Sequence, residues 1–422
     1  MHNLAGTDSK AVLKFERETL PNGMILLSRE DPTLPYGILK VVVDLEVSRH
    51  TLSPTRRTLA ARMFMRGTTS QRAEEIFEKI EGWGGNISAS SGDDSFEFNL
   101  MVPTVHFEEA LRLFNEVLNS PAFTESEFKK VKMQLIQDVQ AAGDEQWTQV
   151  QIRMTERIYP GHPYGTRVSV EEIESLKVED VKGAYKDNFC PERVRVLHGG
   201  GFSKERIREW ATGLFNGRVC SKQDLGSAPN DPVVPADIQF EMPKPTSFAV
   251  LAFRGPNPFV TAVNSERAVM HIAAHVLARR IFDSARLKAG ISYTQWAFYS
   301  AHKEASLLIG YIEVAAQDNI AKAKAVLEKE FRRLSEELMS EEEFYAAVKA
   351  MITQFDVALE ATGDIIESAA NGEIMHGKGD KVRDVYLASL QRVTPEYLQE
   401  IARKYFSPDR SIWVIQIGAK KR

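Results

Sequence analysis

Few residues in this 422-residue chain have both the type and the spacing to do chemistry. In the string HIAAH, His271 and His275 stand four apart, so a helix would present both imidazoles on one face, as a zinc pair requires. Ala274 leaves no general base between them and no acidic ligand sits nearby on that face, so helix packing or a surface pair is the expectation. The string HGGGF, from His198 to Phe202, could be taken for an oxyanion loop. No G-x-S-x-G nucleophile accompanies it, and a turn ahead of a capping Ser203 is a sufficient reading. His162, in HPYG, reads as a loop residue whose backbone is set by Pro163 and Gly165, while His50, His106, His302 and His376 stand isolated. Cys190 and Cys220 are too few for a disulfide framework, and their spacing suggests no metal site.

The bulk numbers exclude several classes. Lys and Arg total 53 against 58 Asp and Glu, with the signs mixed, so there is no basic stripe for nucleic acid or an anionic membrane. The apolar stretch around Ile38 is interrupted by Lys40, Asp44 and Glu46, and nothing approaches the roughly 20 apolar residues of a membrane span. The N-terminal MHNLAGTDSK lacks the apolar core of a signal peptide, so the expectation is a soluble bacterial protein that is either cytoplasmic or periplasmic with its signal already removed, and the compartment stays open.

The elements that would carry these residues come in two runs. Residues 12–20 and 24–30 flank the Pro-Asn-Gly turn and predict a hairpin, with further strands at 38–47, 86–91, 95–102 and 194–198. Helices are predicted over 55–65, 73–83, 107–119, 125–142, 147–158, 178–188 and 204–215. Residues 216–236, rich in Pro, Gly and polar side chains, read as a linker. The same grammar then restarts. Strands are expected at 238–242, 247–253, 293–300, 305–314 and 411–417, and helices at 265–282, 320–338, 341–361, 364–376 and 395–406.

The segment from Phe107 (FEEALRLFNEVLNSPAFTESEFKKVK) resembles the one from Ile320. In each, a capping Thr124 or Ser340 precedes acidic first-turn residues and a helix carrying Phe128 or Phe344. A period of roughly 200 residues means a duplicated domain. The expected class is α+β, with two tandem homologous domains at 1–215 and 237–422, each a largely antiparallel twisted sheet with helices packed on one face.

Several strings resemble one family. They are LPNG at 20–23, MRGT at 65–68, GGNISASSGDDSFEFNL from Gly84, HPYG at 162–165 and SVEEIESLKVEDVKGAYKDNF from Ser169. Together they resemble the insulinase or pitrilysin-type metallopeptidases, which include the mitochondrial processing peptidases. Active members carry H-x-x-E-H on the helix ending in this Gly-Thr, with two zinc-binding imidazoles and a glutamate base. The matching positions here are Thr58, Ala61 and Arg62, and the later acidic ligand corresponds to Asp138. Both imidazoles and the base are missing, and Arg62 would put a permanent cation where the metal belongs. The expectation is a degenerate metal site, with Asp138 pairing with Arg62 or facing water.

The string ARRIFDSARLKAGISYTQWAF resembles the family segment in which an Arg and a Tyr seven residues later bind the peptide substrate; the pair here is Arg286 and Tyr293. A guanidinium can grip a peptide carbonyl or carboxylate, and a phenol can donate to a developing oxyanion. Residues 86–91 match a strand that in active members pairs with the substrate backbone. The resemblance thus implies the non-catalytic, substrate-binding subunit of a bacterial two-subunit zinc peptidase, one half of a clamshell. It would hold no cofactor of its own, and zinc would reside in a homologous partner with which it forms a heterodimer around a peptide. Three alternatives stay open: a structural core subunit of a larger complex, a glycine-loop type of processing subunit centred on FRGPNPFVTAV, and an independent enzyme with metal at His271 and His275.

Overall fold

A computed structural model describes residues 14–45, 52–220, 233–258, 265–315 and 317–419. His50, residues 46–47 of the third expected strand, most of the expected linker and residues 259–263 of FRGPNPFVTAV lie outside the described residues.

The first half contains β1 (Glu16–Thr19), β2 (Ile25–Glu30), β3 (Tyr36–Asp44), α1 (Pro54–Phe64), α2 (Ala73–Gly82), β4 (Asn86–Ser91), β5 (Ser95–Pro103), α3 (Phe107–Asn119), α4 (Glu125–Gly143) and α5 (Gln146–Ile158). It continues with α6 (Val170–Ser175), α7 (Val178–Asn188), β6 (Val194–Gly200) and α8 (Lys204–Gly213). The second half contains β7 (Ala236–Glu241), β8 (Ser247–Arg254), α9 (Glu266–Ile281), a π-helical turn (Phe282–Lys288), β9 (Thr294–Ala301) and β10 (Ser306–Val314). After these come α10 (Ile320–Glu336), α11 (Glu341–Ala358), α12 (Thr362–His376), α13 (Val382–Leu390), α14 (Pro395–Tyr405) and β11 (Ile412–Ile417). Capping chemistry starts the paired helices as the sequence indicates: Thr124 accepts from the Glu127 amide, Ser340 from the Glu343 amide, and Phe128 and Phe344 are both buried. The short helices α6 and α13 are absent from the sequence-based expectation.

The two sheets run in the orders β1-β2-β6-β3-β5-β4 and β7-β11-β8-β10-β9. Apart from the extra β1 the order is the same, down to one parallel pair in each, β2 with β6 and β7 with β11. The duplication is therefore a duplication of topology. Alternate residues on the central strands face different partners. On β3, Leu39, Val41 and Val43 join the large core beneath α1, α3, α4 and α7, while Val42 points the other way. On β8, Ala249, Leu251 and Phe253 face α9 and α10, and Phe248, Val250 and Ala252 face away.

The two halves exchange helices over those second faces. Helix α5 of the first half lays Val150, Met154 and Ile158 on Val250, Ala252 and Val414 of the second sheet. Helix α12 of the second half lays Ile365, Ile366, Ala369 and Ala370 on Leu27, Val42 and Leu197 of the first. This bears on HGGGF: a Cβ on Gly199 would press on Ile366 Cδ1 and Thr362 Cγ2 of α12 at 3.0 Å, while Gly200, at φ +93°, and Gly201 lie against the backbone of Tyr36 and Leu34. Ser203 caps α8 as expected. Two ion pairs fasten α12 from below, Lys40 with Glu367 at 2.6 Å and Arg17 with Glu373 at 2.9 Å.

The β9–β10 turn plugs into the first half. Lys303 donates through Nζ to Asp44 and through its amide to Asp94, both at 2.9 Å, and Tyr164 donates to Asp94 at 2.7 Å. His302 stacks on Tyr164 with centroids 4.3 Å apart and meets Asp93 at 3.2 Å, and the buried Arg57 holds that carboxylate from the other side at 2.9 Å. HPYG is thus an inter-half socket. His162 is buried and accepts the Tyr164 amide through Nδ1 at 3.2 Å.

Cys190 and Cys220, too few for a framework, form a single disulfide across a sequence separation of 30, tying the segment before β6 to the chain leaving α8. A loop of that length makes the bridge worth about 3.5 kcal/mol in the chain-entropy account. Reduction, or Cys220→Ser, is expected to lower the urea unfolding midpoint by the corresponding amount without changing the far-ultraviolet circular dichroism of the folded chain. Among the described residues no helix is long and apolar enough to cross a membrane.

Candidate functional site

Helix α1 begins at Ser53, whose hydroxyl accepts the Arg56 amide, with Pro54 in the first turn. Ala61 faces the core at 2 % exposure, which leaves Thr58 and Arg62 half-buried on the side toward α4. The Arg62 Nη1 donates to Asp138 Oδ2 at 2.6 Å, and one turn on, Arg66 Nη2 donates to Gln134 Oε1 at 2.5 Å. The spacing of four on both helices turns the facing surfaces into two rungs. Asp138 is exposed, so the pair contributes at most about 1 kcal/mol. The residues do not fit zinc: a guanidinium offers no lone pair, Ala61 no ligand atom and Thr58 only a neutral hydroxyl, while the one carboxylate, Asp138, already holds the guanidinium. Among the described residues strand β4 pairs only with β5, so Asn86–Ser91 forms one edge of the first sheet.

In the second half, α9 runs into the π-helical turn, a geometry often found at functional positions. Its base is tied down twice. Arg280 makes a bidentate pair with Glu343, both bonds 2.7 Å, and Ser284 donates at 2.8 Å to the buried Glu330, which also holds Arg333. Beyond these anchors Arg286 is exposed, and Gly290 at φ +62° turns the chain back toward β9. Tyr293 then stands at 84 % exposure, its hydroxyl without a partner among the described residues. The Arg286 guanidinium lies 5.2 Å from the Tyr293 ring centroid, and Nη1 reaches the Tyr293 carbonyl at 3.5 Å. An exposed fork of donors beside an exposed phenol, on a braced turn, is an arrangement for binding acceptor groups. Among the described residues no contact joins this pair to Arg62 and Asp138.

His271 and His275 also lie on α9 and line a cavity of about 1220 Å3 walled by α9, α11, α12, α13 and β9. The His271 ring sits 4.7 Å from Tyr299, and burial with the nearby Arg267 charge pushes its pKa down to about 3. Among the described residues no third ligand joins these imidazoles; the one grouping of three potential metal-ligating side chains is Cys190, Glu192 and Cys220, whose sulfurs are bonded to each other. Sequence reasoning missed Arg267 and the cavity itself. Arg267, His271, His275 and Arg279 recur every four residues, a polar stripe along a helix whose interior positions between Glu266 and Arg280 are otherwise apolar, and that signal could have found them.

These features define a tandem α+β protein of two like sheets, with one exposed Arg–Tyr pair and no ligand set for metal on its first-half helix. The model for the insulinase family, peptidase family M16, matches residues 58–170, and that for the peptidase M16 inactive domain matches residues 175–351. The chain belongs to this family. It is 20% identical over 406 residues to a Bacillus subtilis protein named uncharacterized zinc protease YmxG, covering 95% of this chain and 98% of that one. It is also 20% identical over 302 residues to a Helicobacter pylori protein named non-peptidase homolog YmxG, covering 70% of this chain and 68% of that one. Among solved structures, a peptidase M16 inactive domain from Pseudomonas fluorescens superimposes with a TM-score of 0.84 at 16% identity over 97% of this chain and 99% of that one. The likeness establishes the fold.

Proposed function

We propose that this chain is the non-catalytic, substrate-binding subunit of a heterodimeric zinc peptidase. The observation that carries the reading is the contrast between its halves. Thr58, Ala61 and Arg62 supply no imidazole, carboxylate or general base to hold zinc and activate water, and Arg62 is spoken for by Asp138. Arg286 and Tyr293 are exposed and held on a braced turn. The zinc belongs to a homologous partner subunit, and this chain binds no cofactor. Arg286 grips a carbonyl or carboxylate of an extended peptide, and Tyr293 donates to the carbonyl beside the bond to be cut. The resemblance to chains that include a named non-peptidase homologue supports an inactive subunit, and the Cys190–Cys220 bridge supports work in an oxidising compartment such as the periplasm.

The test is to purify the chain alone and together with a zinc-bearing homologue from its own source, with metal analysis on each. Stoichiometric zinc in the partner only, and chelator-sensitive peptide cleavage only by the pair, is the expected outcome. Cleavage by the lone chain that a chelator abolishes would sink the reading. A pull-down yielding a membrane complex without any peptidase would favour the scaffold alternative.

A further inference from the structure

The α9 stripe lies outside the peptide-gripping pair. Arg267, His271, His275 and Arg279 share one face and all line the cavity of about 1220 Å3, whose remaining surface is largely apolar, with Trp296, Phe355 and Tyr386 among its walls. A space of that size takes a whole small ligand.

The charges around it do not balance. Arg279 has Asp283 at 3.7 Å, and Glu367 is held by Lys40 at 2.6 Å. Asp364 sits exposed on the lining. Arg267 has no hydrogen bond or ion pair among the described residues. The groups that act on its charge are the phenols of Tyr299 and Tyr386, with no carboxylate among them, and burial pulls its pKa down. His271 and His376 are held neutral by burial and by Arg267 itself, and His376 Nδ1 is buried without a partner. The cavity therefore contains one desolvated, unanswered cation and a second unanswered polar atom in an apolar setting. An unpaired guanidinium in such a place costs folding free energy, the kind of strain that a binding site retains.

We propose that this cavity is a second ligand site, which takes a carboxylate carried on an apolar body. The carboxylate sits on the Arg267 fork and the body lies against the Trp296, Phe355 and Tyr386 walls. No carboxylate acts on the Arg267 charge, so one negative group on its fork is unopposed there, whereas the second charge of a phosphate dianion would find no further unpaired cation, with Arg279 held by Asp283 and Asp364 exposed on the same lining. Two sources share this chemistry: the C-terminal residue of a peptide with apolar side chains, and a free long-chain carboxylic acid.

Calorimetric titration of the full chain, without any partner, tests it with three probes: acetyl-Leu-Leu-Phe as the free acid, the same peptide as its carboxamide, and dodecanoate. The free acid is expected to bind at least about tenfold more tightly than the amide, as one lost charge-assisted pair implies. Arg267→Gln should abolish that difference, and Arg267→Lys should keep part of it. Without ligand, Arg267→Gln should melt at or above the wild-type temperature, since it removes an unpaired, partly buried charge. Dodecanoate binding that depends on Arg267, with no peptide binding, supports the site and assigns it to free acids. No binding by either carboxylate overturns the proposal, as does an acid-over-amide preference that survives Arg267→Gln. Should the variants fail to fold, equal binding of acid and amide by the wild-type chain overturns it alone. None of these results bears on the two-chain peptidase, which is measured with the partner present.

Discussion

If the proposed two-chain peptidase is assembled, Arg286→Ala is expected to lower its kcat/KM by roughly 10²-fold, and Tyr293→Phe to lower kcat by roughly 10²-fold with little change in KM. The estimates follow from different physics. In the proposed role Arg286 would offer charge-assisted hydrogen bonds to a peptide acceptor in the ground state and the transition state alike, each worth about 1.5–3 kcal/mol, so its loss would fall on both binding and turnover. In the same role Tyr293 would contribute one donor whose value rises as the carbonyl oxygen gains charge, and removing such a donor typically costs 10²–10³-fold in turnover. Both side chains are exposed, and the braces Arg280–Glu343 and Ser284–Glu330 do not pass through them. Folding and assembly should therefore be unchanged within about 0.5 kcal/mol. Steady-state kinetics on the complex, with gel filtration to show that it is intact, decide the matter. Wild-type kinetics in both variants would remove the peptide-gripping role.

Acid should destabilise this chain well before its carboxylates begin to protonate. His198 is fully buried on β6 with both ring nitrogens unpartnered, and burial, aided by Lys204, pushes its pKa from 6.5 down to about 4. Burial does the same to His376, down to about 4, and to His271, down to about 3. Above pH 6.5 these groups are neutral whether the chain is folded or not, and their contribution is complete. As pH falls below 6.5 the unfolded chain takes up protons that the folded chain refuses until about pH 4, so stability drains across that window. Each histidine costs about 2 kcal/mol between pH 7 and 5, and the three together give a slope of up to about 4 kcal/mol per pH unit. Urea unfolding at pH 7.0, 6.0 and 5.0 measures this directly, and His198→Leu should remove about a third of the slope. A flat profile from pH 7 to 5 would show that these imidazoles are hydrated in the folded chain.

Much of the fold was readable because it depends on local rules. The limits of α3, α7 and β4 coincide with the sequence-based expectation, as period, caps and turn residues are short-range signals. The Phe128 and Phe344 segments announced the duplication, and the identical strand order bears it out. Helices α6 and α13 escaped because six and nine residues carry too few turns for a periodic signal. Arg286 and Tyr293 could be named from their spacing, but not the π-helical turn or the buried Glu330 that braces it through Ser284.

The amino-acid sequence by itself determined that positions 58 and 62 carry no imidazole, which no folding can supply. It also determined that two like units follow one another. Only the tertiary structure decided that each half lends a helix to the other's sheet, because the apolar faces of α5 and α12 do not say which sheet will bury them. The same holds for Cys190 and Cys220, brought together across 30 residues, and for Arg267, whose isolation follows from what surrounds it in space. Burial and pairing are set by neighbours distant in the chain, and desolvation cannot be read from a residue's own type.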